Sequence, residues 1–109
     1  MGKSDKREIR NRLEILLAHL LKWKHQPGGR GASWRSTIFE QRRGIAAVVE
    51  DSPSLRTFAR DQVAAAYGPA RLFAARETGI AIGLFPVECP FTPEQVIDQD
   101  FLPENPATE

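Results

Sequence analysis

Arg12 and His19 lie seven residues apart in a stretch of helical periodicity, so both side chains fall on one face, roughly 10 Å apart along the axis. An imidazole and a guanidinium so placed carry the groups for ribonuclease-like phosphodiester cleavage. His19 would move a proton at the ribose hydroxyl or the leaving oxygen, and Arg12 would stabilise the pentacoordinate phosphate. The spacing also arises in many helices with no such role. A His between Ala18 and Leu20 is more often a half-buried helix residue with a satisfied nitrogen.

Trp23 follows His19 by four residues, and Trp34 stands just across a Gly-rich connection. With Lys22, Lys24, His25, Arg30 and Arg35 around them, the tryptophans form a basic patch with interleaved aromatics. Such a patch can stack bases while guanidinium groups hold phosphates. The competing expectation is structural: the two indoles meet and close a helical hairpin, burying about 150–250 Å² each. The candidate set for binding nucleic acid or a protein partner is Lys22, Trp23, Arg30, Trp34, Arg35 and Arg42.

Other chemistries lack their residues. No carboxylates form a spaced pair that reads as an acid–base dyad, and Asp98 and Asp100 resemble a solvated terminus more than a metal site. P-loop, G-x-G-x-x-G, G-x-S-x-G and H-E-x-x-H motifs do not occur. Cys89, the only cysteine, sits between Glu88 and Pro90, neighbours that do not activate a thiolate, and is expected as a buried thiol. With only two histidines beside it, neither a structural zinc nor any other cofactor is expected.

The elements that would position these residues are helices. Ile9, Leu13, Leu16, Leu17, Leu20 and Leu21 recur in steps that place one apolar stripe on a helix from Ser4, its N-cap, to His25, ended by Pro27-Gly28-Gly29. After a connection over 27–32, Ser33 is the expected N-cap of a second helix with Trp34, Ile38, Gln41, Ile45, Val48 and Val49 on one face. Gly44 within it marks either a close helix approach or a tolerated accident. Ser52 as N-cap and Pro53 at the first helical position would open a third helix, which Gly68-Pro69 would kink or divide and Thr78-Gly79 would end. The Pro-containing stretch 79–91 reads as an extended connection over the core. Thr92-Pro93-Glu94-Gln95 then reads as a capping box for a short helix ending near Gln99. Residues 1–3 and 103–109 are expected to fray. The predicted fold is all-α, a small bundle of three main helices plus a short C-terminal one.

The 109 residues suit one domain with one core. No apolar run approaches the roughly 20 residues of a bilayer span, and the start has no apolar h-region, so the expected location is cytoplasmic. Net charge is +1, yet residues 1–43 hold 11 Lys and Arg against 4 Asp and Glu, a net +7, and residues 44–109 hold 4 against 10, a net −6. Such asymmetry fits nucleic-acid contact by the basic half. The plainer expectation is that the two halves complement each other across helix surfaces, within one chain or between chains.

The strings Leu16-Leu17-Ala18-His19-Leu20-Leu21-Lys22-Trp23, Gln26-Pro27, Ser33-Trp34-Arg35-Ser36-Thr37-Ile38, Gln41-Arg42-Arg43, Ser52-Pro53-Ser54-Leu55, Glu77-Thr78-Gly79, Phe85-Pro86 and Cys89-Pro90-Phe91-Thr92 occur in that order. Together they resemble the bacterial family called "domain of unknown function 29", nearly end to end. The resemblance implies a small, predominantly helical bacterial protein with no assigned activity. It also implies a further upstream segment, rich in acidic and aromatic residues, of which this chain looks shortened. A groove left by such a segment would be apolar, and the expected consequence is a homodimer or a complex with another chain. The function expected from the sequence is therefore a helical interaction or oligomerisation module. Nucleic-acid binding through the basic half and the Arg12/His19 ribonuclease stand as alternatives.

Overall fold

The computed structural model describes residues 3–103, and no strand occurs among them. Four helices follow in order: α1 (Lys3–His25), α2 (Ala32–Asp51), α3 (Leu55–Thr78) and α4 (Pro93–Ile97). Single 3-10 turns at Pro27–Gly29 and Ile82–Leu84 bend the connections. At about 1.5 Å per residue, α1 and α3 are each roughly 35 Å long. They therefore account for most of the 39 Å long axis.

α1 is the central element because its apolar residues wrap more than one face. Ile9, Leu13, Leu16, Leu17, Ala18, Leu20 and Leu21 are all fully buried, which a single stripe against one neighbour would not require. α2 and α3 both pack on α1, while α2 and α3 scarcely touch one another. From α3 come Leu55, Ala59, Val63, Ala66, Tyr67, Ala70 and Ala74, mostly small residues that let the two long helices approach closely. From α2 only Ile38, Arg42 and Ile45 are buried, with Trp34, Val48 and Val49 half-buried beside them.

The segment after α3 closes the end of the core. Phe85 and Phe91 are buried, and the Tyr67 hydroxyl donates to the Pro86 carbonyl at 2.6 Å. Arg71 donates to the carbonyls of Ile82 and Phe85. These side chains satisfy backbone acceptors that have no ladder of their own, so the segment lies on the core without forming a strand.

Several boundaries differ from the sequence reading. Ser4 lies inside α1, which already includes Lys3, and so does not cap it. Ser33 lies inside α2, whose N-cap is Gly31. Ser52 ends α2 by donating its N–H to the Val48 carbonyl, and Pro53 sits in the turn before α3 opens at Leu55. Ser and Pro are at home in both sites, and the shortness of the turn decides between them. α3 is one continuous helix with Pro69 inside it, not two abutting helices. Packing against α1 on both sides of Pro69 outweighs the one lost backbone donor. α4 ends at Ile97, two residues early, and Pro103 is buried instead of frayed. The expected fraying of 104–109 and of 1–2 lies outside the described residues. Gly79 does terminate α3, with φ +76°, its N–H reaching the Ala75 carbonyl, and both halves of the Thr92/Gln95 capping box are present.

Candidate functional site

At the corner where α1 turns into α2, cations cover the faces of both tryptophans. The Lys22 ammonium lies 5.0 Å from the Trp34 ring centroid, and the Arg30 and Arg35 guanidinium carbons lie 5.5 and 5.1 Å from that of Trp23. The indoles thus interleave with cations. They do not stack on one another, as the sequence allowed. Trp23 is buried and Trp34 half-buried, resting on the Gly29 backbone. Arg30 is fixed here because its Nε donates to the Trp23 carbonyl at 2.6 Å, satisfying one of the last acceptors of α1. Its Nη2 is buried and makes no hydrogen bond among the described residues. Among the described residues none of Lys22, Arg30 and Arg35 meets a carboxylate.

The local charge is felt by the histidines. Burial pushes the His25 imidazole below its ordinary value, and Lys24 adds to the effect. His25 Nε2 is buried without a hydrogen-bond partner among the described residues, and its ring meets Phe85 edge-on at 4.9 Å. Burial likewise lowers His19, while its contact with the Ile15 carbonyl at 2.9 Å opposes the shift.

Arg12 and His19 do not share a cleft. Arg12 donates to Glu8 at 2.8 Å and to Gln41 of α2 at 3.2 Å, and its guanidinium lies over Gly44. Gly44 is therefore the close approach that its position hinted at, made by a side chain and not by a backbone. The hollow at Arg12 is walled by Arg7, Glu8, Asn11, Ile15 and Gln41, and His19 is not one of its walls.

Arg42 lies apart from the corner. It is 2% exposed, donating from Nε to the Val96 carbonyl at 2.8 Å and from Nη2 to the Gln95 carbonyl at 3.2 Å. Burial lowers its pKa to about 10, partly opposed by Asp98 and Asp100, so it remains charged near neutrality. Its visible work is to tie α2 to the C-terminal end of α4, where free carbonyls favour a cation.

The sequence reading missed Phe39 and Arg43. Phe39 is 51% exposed on α2, with Arg35 four residues before it and Arg43 four residues after, the latter 5.9 Å from its ring. The i, i+4, i+8 spacing was the available signal. A hollow of about 240 Å³ beside Phe39 is lined by Arg35, Ile38, Arg42, Gln99, Asp100 and Leu102. Cys89 is half-buried, and burial raises its thiol pKa.

Fold and site together define a small all-α protein that presents a ridge of cations and aromatics on its first two helices. The chain belongs to the family described as domain of unknown function DUF29, whose pattern matches residues 1–102. Neither the curated proteins nor the solved structures give a match. Among the described residues no helix is long and apolar enough to cross a membrane.

Proposed function

We propose that the protein is a non-enzymatic interaction module and that the ridge Arg35–Phe39–Arg43 on α2, with Arg30 beside it, docks an acidic segment of another protein. The observation that carries this reading is the half-exposed Phe39 between two arginines, neither of which meets a carboxylate among the described residues. Aromatic and Arg side chains dominate the energetics of interface centres, and uncompensated cations attract an acidic partner. Trp23 backs the ridge at its Arg35 end, its ring against that guanidinium. With Trp23 buried and its ring shared between two guanidinium groups, it offers no open face for a base.

The test is affinity capture on the intact protein after nuclease treatment, repeated with the double variant Phe39→Ala, Arg43→Glu. A protein partner retained by the parent and lost by the variant is expected. Retention unchanged by the variant would overturn the assignment of the ridge. A gel shift with RNA or duplex DNA tests the competing reading, and nucleic-acid binding that weakens steeply with added salt would replace the protein partner.

Self-association is a separate proposal resting on a different surface. Leu72, Ile82, Leu84 and Val87 are 50%, 41%, 69% and 79% exposed along the end of α3 and the segment after it, an apolar set that a second copy would shelter. Sedimentation velocity should show a dimer that Leu84→Lys, Val87→Lys converts to a monomer. A parent protein that sediments as a monomer at tens of micromolar excludes it.

A further inference from the structure

A second site lies further along α2, toward its C-terminal end. Because α2 and α3 each lean on α1 and scarcely touch one another, the seam between them is open, and α4 covers only one part of it. A cavity of about 230 Å³ remains there, lined by Arg42, Ile45, Ala46, Val49 and Ile97 together with Arg56 and Ala59 of α3. Its walls are otherwise aliphatic or methyl-sized, and among the described residues its only charged lining groups are two guanidinium ions. Arg42 is buried in the wall. Arg56 is exposed and meets no carboxylate among the described residues. Other charges are close: Asp98 and Asp100 act on Arg42, and Glu50 and Arg43 line the hollow that adjoins the cavity at Ala46, Val49 and Arg56.

An apolar cavity of about 150 Å³ suffices to take up benzene, so this one has room for a ring-sized or short-chain apolar body. Water is a poor occupant of such walls, and a neutral hydrocarbon would leave the cationic mouth unused. The chemistry that answers both features is an amphipathic monocarboxylate, its tail against Ile45, Val49, Ala59 and Ile97 and its carboxylate at Arg56. We propose that the seam between α2, α3 and α4 is a binding site for such a carboxylate, presented either as a small free acid or as the C-terminal carboxylate of a chain ending in an aliphatic residue.

The experiment is a methyl-detected NMR titration of the full chain with hexanoate, with hexanol, and with an acetylated peptide ending in Leu as its free acid or its amide. Saturable shifts of the Ile45, Val49 and Ile97 methyls with hexanoate or the peptide acid are expected. Hexanol and the peptide amide should bind more weakly. Arg56→Gln should weaken the carboxylate by about fivefold, the scale of an accessible charged pair, and leave hexanol unchanged. Ala46→Phe, at an exposed position that leaves the core intact, should abolish uptake while the helical circular dichroism persists. Tighter binding of hexanoate assigns the site to free acids, and tighter binding of the peptide acid assigns it to a chain terminus. Binding of alcohol as tight as acid, shifts scattered away from the cavity, indifference to Arg56→Gln, or no saturable shift would each overturn the proposal.

Discussion

Arg42 shows how a charged side chain can act as a core residue. It lies four residues after Ile38 and three before Ile45, in the inward register of α2, and is as buried as either. Its two hydrogen bonds hold the end of α4. Arg42→Ala should therefore cost about 2–4 kcal/mol, combining a cavity with a stranded Val96 carbonyl, since the Gln95 carbonyl keeps the Asp98 N–H. Urea denaturation would measure this, and a change below about 0.5 kcal/mol would show that the contact is incidental. At Gly44 two effects oppose one another. An added Cβ would meet the Arg12 guanidinium, but that group is the far end of a flexible chain, and Ala is the better helix former by up to about 1 kcal/mol. Gly44→Ala should thus change stability by less than about 1 kcal/mol while breaking the Arg12–Gln41 bond. Chemical denaturation and a crystal structure of the variant would check both halves.

Among the elements, the least regular one depends most on specific side chains. The segment between α3 and α4 lies on the core through Phe85, Phe91, Tyr67 and Arg71, with no backbone partner strand. Removing the hydroxyl with Tyr67→Phe leaves the Pro86 carbonyl without that donor. A loss of about 1–2 kcal/mol is expected, with faster hydrogen exchange confined to the segment over residues 80–91. Uniformly faster exchange would show that Tyr67 acts on the whole bundle instead. The helix ends teach a related lesson. Ser4, Ser33 and Ser52 all carry the chemistry of an N-cap, yet none caps a helix N-terminus in the fold. Thr92 does, because Gln95 reaches back to complete the box. A capping side chain alone marks a neighbourhood, and reciprocal bonding fixes the residue.

For the whole molecule, the buried titratable groups set a pH window of stability. His19 and His25 both have lowered pKa values in the fold. Above the ordinary value of 6.5 both are neutral in either state, and their burial costs no charge. As pH falls below 6.5 the unfolded chain takes up protons that the folded chain refuses, so stability falls until the lowered folded values are passed. Tyr67 acts on the alkaline side. Burial raises its pKa from 10 to about 12, so its own contribution is full below pH 10 and is lost as pH rises from 10 towards 12. Cys89, raised from 9.0, adds a loss, and Arg42, lowered to about 10, works in the opposite direction. Denaturation midpoints across pH should hold a plateau near neutrality that falls off on the acid side. His25→Phe should soften the acid shoulder, Tyr67→Phe should make the change in stability above pH 10 less unfavourable than in the parent, and a profile flat from pH 7.5 to 5 would contradict the histidine assignment.

The order of oily side chains by itself determined the helices, because steps of three and four place them on one side of a spiral whatever it packs against. It also determined the stop at Gly79, where α3 ends with a positive φ, and the family through its H-L-L-K-W and S-W-R-x-T-I strings. Tertiary structure alone decided which charges face solvent. Arg42 and Arg43 are adjacent and chemically identical, yet one is 2% exposed and holds α4 while the other flanks an exposed ring. It also decided that α2 and α3 stand apart on α1, which leaves the open seam. Periodicity says that a face is buried but does not name the neighbour that buries it, and a cation becomes a core group only when carbonyls from a distant segment arrive to satisfy it.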